Sequence, residues 1–363
     1  MQNPDKTIAV EKETITQLKN INKKSLKQRC KNLAKKLMGR AADPKDMIFW
    51  PAGMLLLGLT EIRDDQLNAS VRKESCIEAV EEYHALWTSR QGGRVRFVDD
   101  ALAGFSLLRM YEITADGKYL DSAHRIFSFL KDTAKDSERS IIYNVSGRDD
   151  FILADGVGMT ALFLSYYGSV LKGLDVEDEA REAFDLAALQ LINFRKNGCD
   201  SKTHLPYHAY SLTKGKLGIL GWGRAVGWIL MGVAGCAMYL PEDHEHRQTI
   251  MEWAKELVET AISYQRSDGA IAWDLPCMEG HVDSSATGMI GWSIKKIGSV
   301  MTDGLVESED VLDKLDKALL YLTESSGKVI DSLSPCEDLA VHRQVYGTNA
   351  WGQGAVLACL KAK

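Results

Sequence analysis

Two kinds of hydrophobic segment alternate along this chain. Segments of the first kind carry charge on one side and apolar residues at helical spacing on the other, the pattern of a helix with one solvent face. They fall at 25–40 (SLKQRCKNLAKKLMGR), 70–87, 117–134, 178–196, 245–265 and 307–326. Segments of the second kind are poor in charge and rich in glycine, at 51–62 (PAGMLLLGLTEI), 99–114, 154–170, 222–240 (WGRAVGWILMGVAGCAMYL), 284–298 and 348–362. A helix that is apolar nearly all round must be covered on every side. Glycine costs roughly 1 kcal/mol against alanine inside a helix, so its recurrence implies backbones in close approach.

The pairs recur roughly every 50 to 70 residues, the signature of stacked helical hairpins. An open stack needs polar end caps, yet the last segment, TNAWGQGAVLACLKA, is as apolar as the internal ones. Closure is therefore predicted. Six inner helices ringed by six outer ones give an all-α (α/α)6 toroid, one domain over residues 1–363 with 1–24 as a peripheral extension. Short strands are expected in LPYHAYSL and GAIAWDL, where aromatic residues alternate with small or polar ones.

At 363 residues the chain exceeds the roughly 250–300 at which one compact core stops growing, which fits an architecture that spreads its core. A net charge of -6 gives no reason to expect nucleic acid. The N-terminus lacks the pattern of a secretory signal, and the uncharged run Ala225 to Leu240 is short for a membrane span of about 20 residues. No membrane partner and a cytoplasmic location are the expectations. Seven cysteines lie far apart without a CxxC pair, which reads as reduced thiols. No metal cluster, phosphate loop or dinucleotide fingerprint is evident, so neither metal nor cofactor is expected.

In such a toroid the starts of the inner helices converge on one funnel. The residues there are Trp50; Asp99 and Asp100; Asp155; Trp222, Arg224 and Trp228; Asp283, Ser284 and Ser285; and Asn349, Trp351 and Gln353, with Tyr207 and His208 in the preceding loop. Tryptophan and tyrosine offer flat faces with a polar edge, which suits sugar rings. Arginine offers a fork for a carboxylate, and carboxyl groups move protons. Together they describe an acidic-sugar pocket. Each also has a plainer reading. Asp155, Asp99, Asp100, Ser284 and Ser285 could be helix caps, Trp222 and Trp228 core, Arg224 the partner of a structural carboxylate, and His208 a structural histidine. Recurrence of such groups at one end of most inner helices favours the pocket.

The segments VDDALAG, LADGVGM, LPYHAYS, WGRAVGW and DSSATGM, in this order between about Trp50 and the C-terminus, resemble the unsaturated uronyl hydrolases, glycoside hydrolase family 105 and its relative family 88. WGRAVGW with DGVGM is the more specific part of the match. The resemblance implies the (α/α)6 fold. It implies Asp155 as catalytic acid/base, Asp99 as the second carboxylate, with Asp100 beside it as the alternative, and His208, Arg224 and Trp228 as groups that hold the sugar ring. Asp283 stands where the family often has glutamate, and Tyr210 where it often has tryptophan.

The implied reaction explains the lone charge in FILADGVGMTALFLSYYG. Lyases leave a C4=C5 double bond on the new non-reducing uronyl ring. Protonating C4 of this vinyl ether makes an oxocarbenium-like centre at C5, water adds, and the hemiketal opens to expel the neighbouring sugar. The acid must hold a proton at the start. Apolar surroundings favour the protonated form, the start of a helix favours the anion, and desolvation is expected to prevail at a shielded Asp155. The expected partner is an unsaturated uronyl disaccharide or short oligosaccharide, rhamnogalacturonan disaccharide first. The rivals are an inverting glycosidase using paired carboxylates on saturated chains, a non-catalytic sugar-binding scaffold, and an epimerase, which would want a histidine pair.

Overall fold

The computed structural model describes residues 4–23, 46–62, 69–143, 150–301 and 309–362. Among them the inner helices are α2 (Trp50–Thr60), α4 (Ala101–Thr114), α6 (Ala154–Gly173), α8 (Gly223–Tyr239), α10 (Ser284–Gly298) and α12 (Ala350–Lys361). The outer helices are α1 (Pro4–Asn20), α3 (Ala69–Gln91), α5 (Gly117–Asp132), α7 (Glu177–Gly198), α9 (Arg247–Ser263) and α11 (Glu309–Tyr321). Each inner helix packs on the next, and α12 packs on α2. The ring is closed, as the apolar last segment predicts.

Glycine is what allows this closure. A Cβ at Gly354 in α12 would stand 2.1 Å from the Met54 carbonyl oxygen of α2, and one at Gly158 in α6 would stand 2.0 Å from that of Trp228 in α8. No side chain fits either seam, so the helices meet backbone to backbone. One apolar core runs through all the inner helices and the inward faces of the outer ones.

The amphipathic segment at 25–40 lies outside the described residues. α1 packs against α2, α3 and α12. Val10 and Leu18 are buried. Lys6 Nζ donates to the carbonyls of Leu320 and Thr323 at the end of α11, at 2.6 and 2.9 Å. The buried Gln353 of α12 donates to the Val10 and Gly327 carbonyls, so its amide stitches α1 to the ring and does not face the funnel. The mixed composition of residues 4–20 hides this role, because only one stripe of the helix is covered.

Short strands decorate one end. β1 (Ile152–Leu153), β2 (Tyr207–Ser211) and β3 (Gly215–Leu220) form an antiparallel sheet in that order, and β4 (Ser332–Leu333) pairs with β5 (Tyr346–Gly347). LPYHAYSL forms its predicted strand. GAIAWDL does not: it makes only isolated bridges, Trp222 with Asp274 and Ala272 with Val282. No described helix is long and apolar enough to cross a membrane.

Candidate active site

Asp155 stands in the first turn of α6, directly after β1. Pairing of Ile152 with Tyr210 and Leu153 with Ala209 sets His208 beside the helix start, and the two side chains meet there. His208 Nε2 lies 3.4 Å from Asp155 Oδ2, an ion-pair distance without hydrogen-bond alignment. Its other nitrogen, Nδ1, is 3.2 Å from the Leu339 carbonyl. Burial alone would lower the affinity of His208 for its second proton, but contacts with Asp155 and Cys336 outweigh it and push the pKa up to about 9. The imidazole is therefore cationic at neutral pH. Asp155 Oδ2 is buried, while the side chain as a whole is 20% exposed. Oδ1 is thus the oxygen open to a ligand. The sequence suggests an isolated acid in apolar surroundings; the structure pairs it with a buried cation and shields it only in part.

The carboxylates Asp99 and Asp100 share a 3-10 turn, Val98–Asp100, and diverge. Asp100 turns back, its Oδ2 accepting from the backbone N–H of Arg96 at 2.8 Å and of Phe97 at 3.1 Å. Burial and the nearby Asp46 push its pKa up to about 7. It fastens its own turn, which answers the expectation that it binds substrate. Asp99 turns the other way and accepts from the Tyr143 hydroxyl at 2.6 Å. The Tyr143 ring lies over Gly156, the residue after Asp155.

Of the four candidate tryptophans only Trp50 is partly exposed; Trp222, Trp228 and Trp351 are buried. Trp50 sits at the centre of a cluster, its ring centroid 4.8 Å from Trp351 and 6.2 Å from Trp228. Trp228 is core beneath it. Trp222 packs on His208 and His342, each 4.5 Å away, and backs the histidine. Tyr207 holds the Lys216 ammonium 5.7 Å from its ring.

Arg224 is only 1% exposed. Its two terminal nitrogens donate to the carbonyls of Leu333 and Ser334, both at 2.9 Å, and Asp283 Oδ2 lies 3.5 Å away. The fork expected to reach a substrate carboxylate is spent on β4. Asp283 Oδ1 in turn accepts from the backbone and hydroxyl of Ser285 and from the backbone of Leu333. Ser284 and Ser285 are fully buried; Ser285 joins the Asp283 cap, while the Ser284 hydroxyl makes no hydrogen bond. Asn349 donates to the Ser332 carbonyl at 2.8 Å.

Two groups escaped notice in the sequence. His342, 5.5 Å from the ring of His208, is held neutral by burial and by the two cations His208 and Arg224, with a pKa down to about 4. Its Nε2 lies 3.3 Å from the same Leu339 carbonyl that His208 uses. Asp274 bridges Trp222 and is pushed up to about 6 by burial. His342 sits in no periodic segment and Asp274 in the alternating GAIAWDL run, and only the folding of their loops over the funnel brings them to it. Tyr143, in an apolar IIY run, carried no signal either. Among the described residues no cluster of metal-ligating side chains occurs.

A closed helical ring whose inner-helix starts gather a carboxylate-histidine pair, a second carboxylate and a tryptophan cluster is an architecture of carbohydrate-active enzymes. The model of Glycosyl Hydrolase Family 88 matches residues 17–361: the chain belongs to this family and is a glycoside hydrolase. Among solved structures it resembles a possible member of the GH105 family from Klebsiella pneumoniae at 16% identity, covering 98% of this chain and 92% of that one with a TM-score of 0.78. A possible GH105 member from Salmonella enterica is similar at 17% identity, 97% and 92% coverage and TM-score 0.77. An unsaturated glucuronyl hydrolase from Bacillus sp. GL1, responsible for the degradation of glycosaminoglycan, is similar at 15% identity, 87% and 86% coverage and TM-score 0.67. At these identities the likeness establishes the fold.

Proposed function

We propose that this glycoside hydrolase removes the 4,5-unsaturated uronyl residue from the non-reducing end of lyase-generated oligosaccharides by hydrating its vinyl ether. The observation that carries the reading is the pair at the start of α6, a half-open carboxylate whose inner oxygen faces a cationic, buried histidine. The family, and the unsaturated glucuronyl hydrolase among the similar structures, support the substrate class.

Asp155 and His208 together hold one transferable proton. Passage of the Nε2 proton to Oδ2 leaves a carboxylic acid and a neutral imidazole still fixed through Nδ1 to Leu339. Substrate closing over the pair tightens the 3.4 Å gap for that transfer. The acid turns about its Cβ–Cγ bond to present the protonated oxygen to the ligand, protonates C4, and positive charge develops at C5. Water adds at C5 and returns its proton to the carboxylate-imidazole pair, restoring the starting state. The hemiketal opens and releases the neighbouring sugar, so the net change is addition of one water. Asp99, fixed by Tyr143, orients that water, and the half-buried Trp50 offers the ring a face.

Substrate choice is tested by incubating the protein with a panel of lyase-generated disaccharides and following loss of the alkene's ultraviolet absorbance. Rhamnogalacturonan disaccharide is the first member, with glycosaminoglycan disaccharides beside it. Loss of absorbance with at least one member supports the reading. Cleavage of saturated oligosaccharides with every alkene left intact would replace it with an ordinary inverting glycosidase.

A further inference from the structure

We propose that Tyr143 is a positioning residue that holds Asp99 as the acceptor carboxylate beside the Asp155–His208 pair. The proposal rests on the function given above and concerns a residue outside every motif that carries the family resemblance.

Three contacts define the role. The Tyr143 hydroxyl donates to Asp99 Oδ2 at 2.6 Å. Its ring covers Gly156, where a Cβ would sit 3.4 Å from Cδ2 of the ring and 3.3 Å from Cγ1 of Val98. Its backbone N–H donates to the Phe151 carbonyl at 2.9 Å, immediately before β1. One side chain therefore spans from the turn bearing Asp99 to the helix turn bearing Asp155, and its backbone is tied to the strand that leads into that helix.

The chemistry follows from the geometry. A hydrogen bond to the charged form of a carboxyl group favours that form. A phenolic donor 2.6 Å from Asp99 favours the Asp99 anion. Asp99 stays an acceptor able to orient water, and the transferable proton stays with the Asp155–His208 pair.

A double-mutant cycle with the full chain tests this. Tyr143→Phe keeps the ring over Gly156 and removes only the hydroxyl, so the thermal midpoint is expected within about 3 °C of wild type. The kcat on an unsaturated disaccharide is expected to fall about tenfold with KM within about twofold, a loss confined to the chemical step. In an Asp99→Asn background the same change is expected to move kcat by less than about twofold, because its partner is already neutral. Equal losses in both backgrounds, or none in either, would overturn the assignment while leaving the proposed function in place. A wild-type protein that consumes no alkene would overturn both.

Discussion

Two sectors of the same end of the ring contain buried polar groups and use them differently. On the α8 and α10 side, Arg224 donates to the Leu333 and Ser334 carbonyls and Asp283 Oδ1 accepts from Ser285 and Leu333, while Asp283 Oδ2 lies 3.5 Å from Arg224. On the α6 side, Asp155 and His208 stand at 3.4 Å without a formed hydrogen bond, and Asp155 keeps one oxygen open. Both sectors look alike in the sequence, each a charged residue in the first turn of a glycine-rich apolar helix. The contrast teaches that charge at a funnel does not by itself mark chemistry. What separates the two sectors is access: the Asp155 side chain is 20% exposed, whereas that of Asp283 is fully buried.

The comparison can be broken in four ways. The largest effect is expected from Asp155→Asn, which keeps the shape of the side chain and removes the acid. Its kcat should fall at least about 10³-fold, within the range for general acid-base groups, with an unchanged circular dichroism spectrum; near-normal turnover would move the chemistry elsewhere. Arg224→Ala should act on the fold. Removing one partner of a buried pair costs about 3–5 kcal/mol, read as a lower denaturation midpoint, while the KM of the protein that remains folded stays near wild type. A large rise in KM at unchanged stability would return Arg224 to the substrate.

Trp50→Ala comes next. An aromatic contact is worth about 0.5–1.5 kcal/mol, so KM should rise up to about tenfold with a smaller change in kcat; isothermal titration with a product sugar checks the same loss. The smallest effect concerns pH. The folded pKa of His208, about 9, lies above its ordinary value of 6.5, so the folded state binds the extra proton more tightly than the unfolded chain. The stabilisation is complete below pH 6.5 and is lost as pH rises through 9. The melting temperature of wild type should therefore decline between pH 7 and 9.5 more steeply than that of His208→Gln, by a few degrees in a pH-scanned melt, with activity falling over the same interval.

The helical ring was legible because it rests on local information: the alternation of charged and glycine-rich segments names the two layers, and the apolar last segment predicts closure. The place of residues 4–20 was not, since a helix covered along one stripe has an ordinary composition and its docking depends on a distant amide, Gln353. In the candidate site, the neighbourhood of Asp155, His208 and Trp50 could be anticipated from where inner helices begin. What each side chain does there could not. Arg224 and Asp100 carry the right chemistry and spend it on backbone groups, a fact decided by loops that fold back from β4 and from residues 96–97. His342 and Tyr143 lie in stretches without periodicity and reach the site only through tertiary folding.

The central claim is that Asp155 delivers a proton to C4 of an alkene. Running the reaction in deuterium oxide and examining the released uronate by nuclear magnetic resonance reads this directly. The account predicts a saturated C4 carrying one deuterium on a single face, with no alkene consumed by Asp155→Asn. A released sugar that keeps its double bond, with no deuterium on carbon, would contradict it.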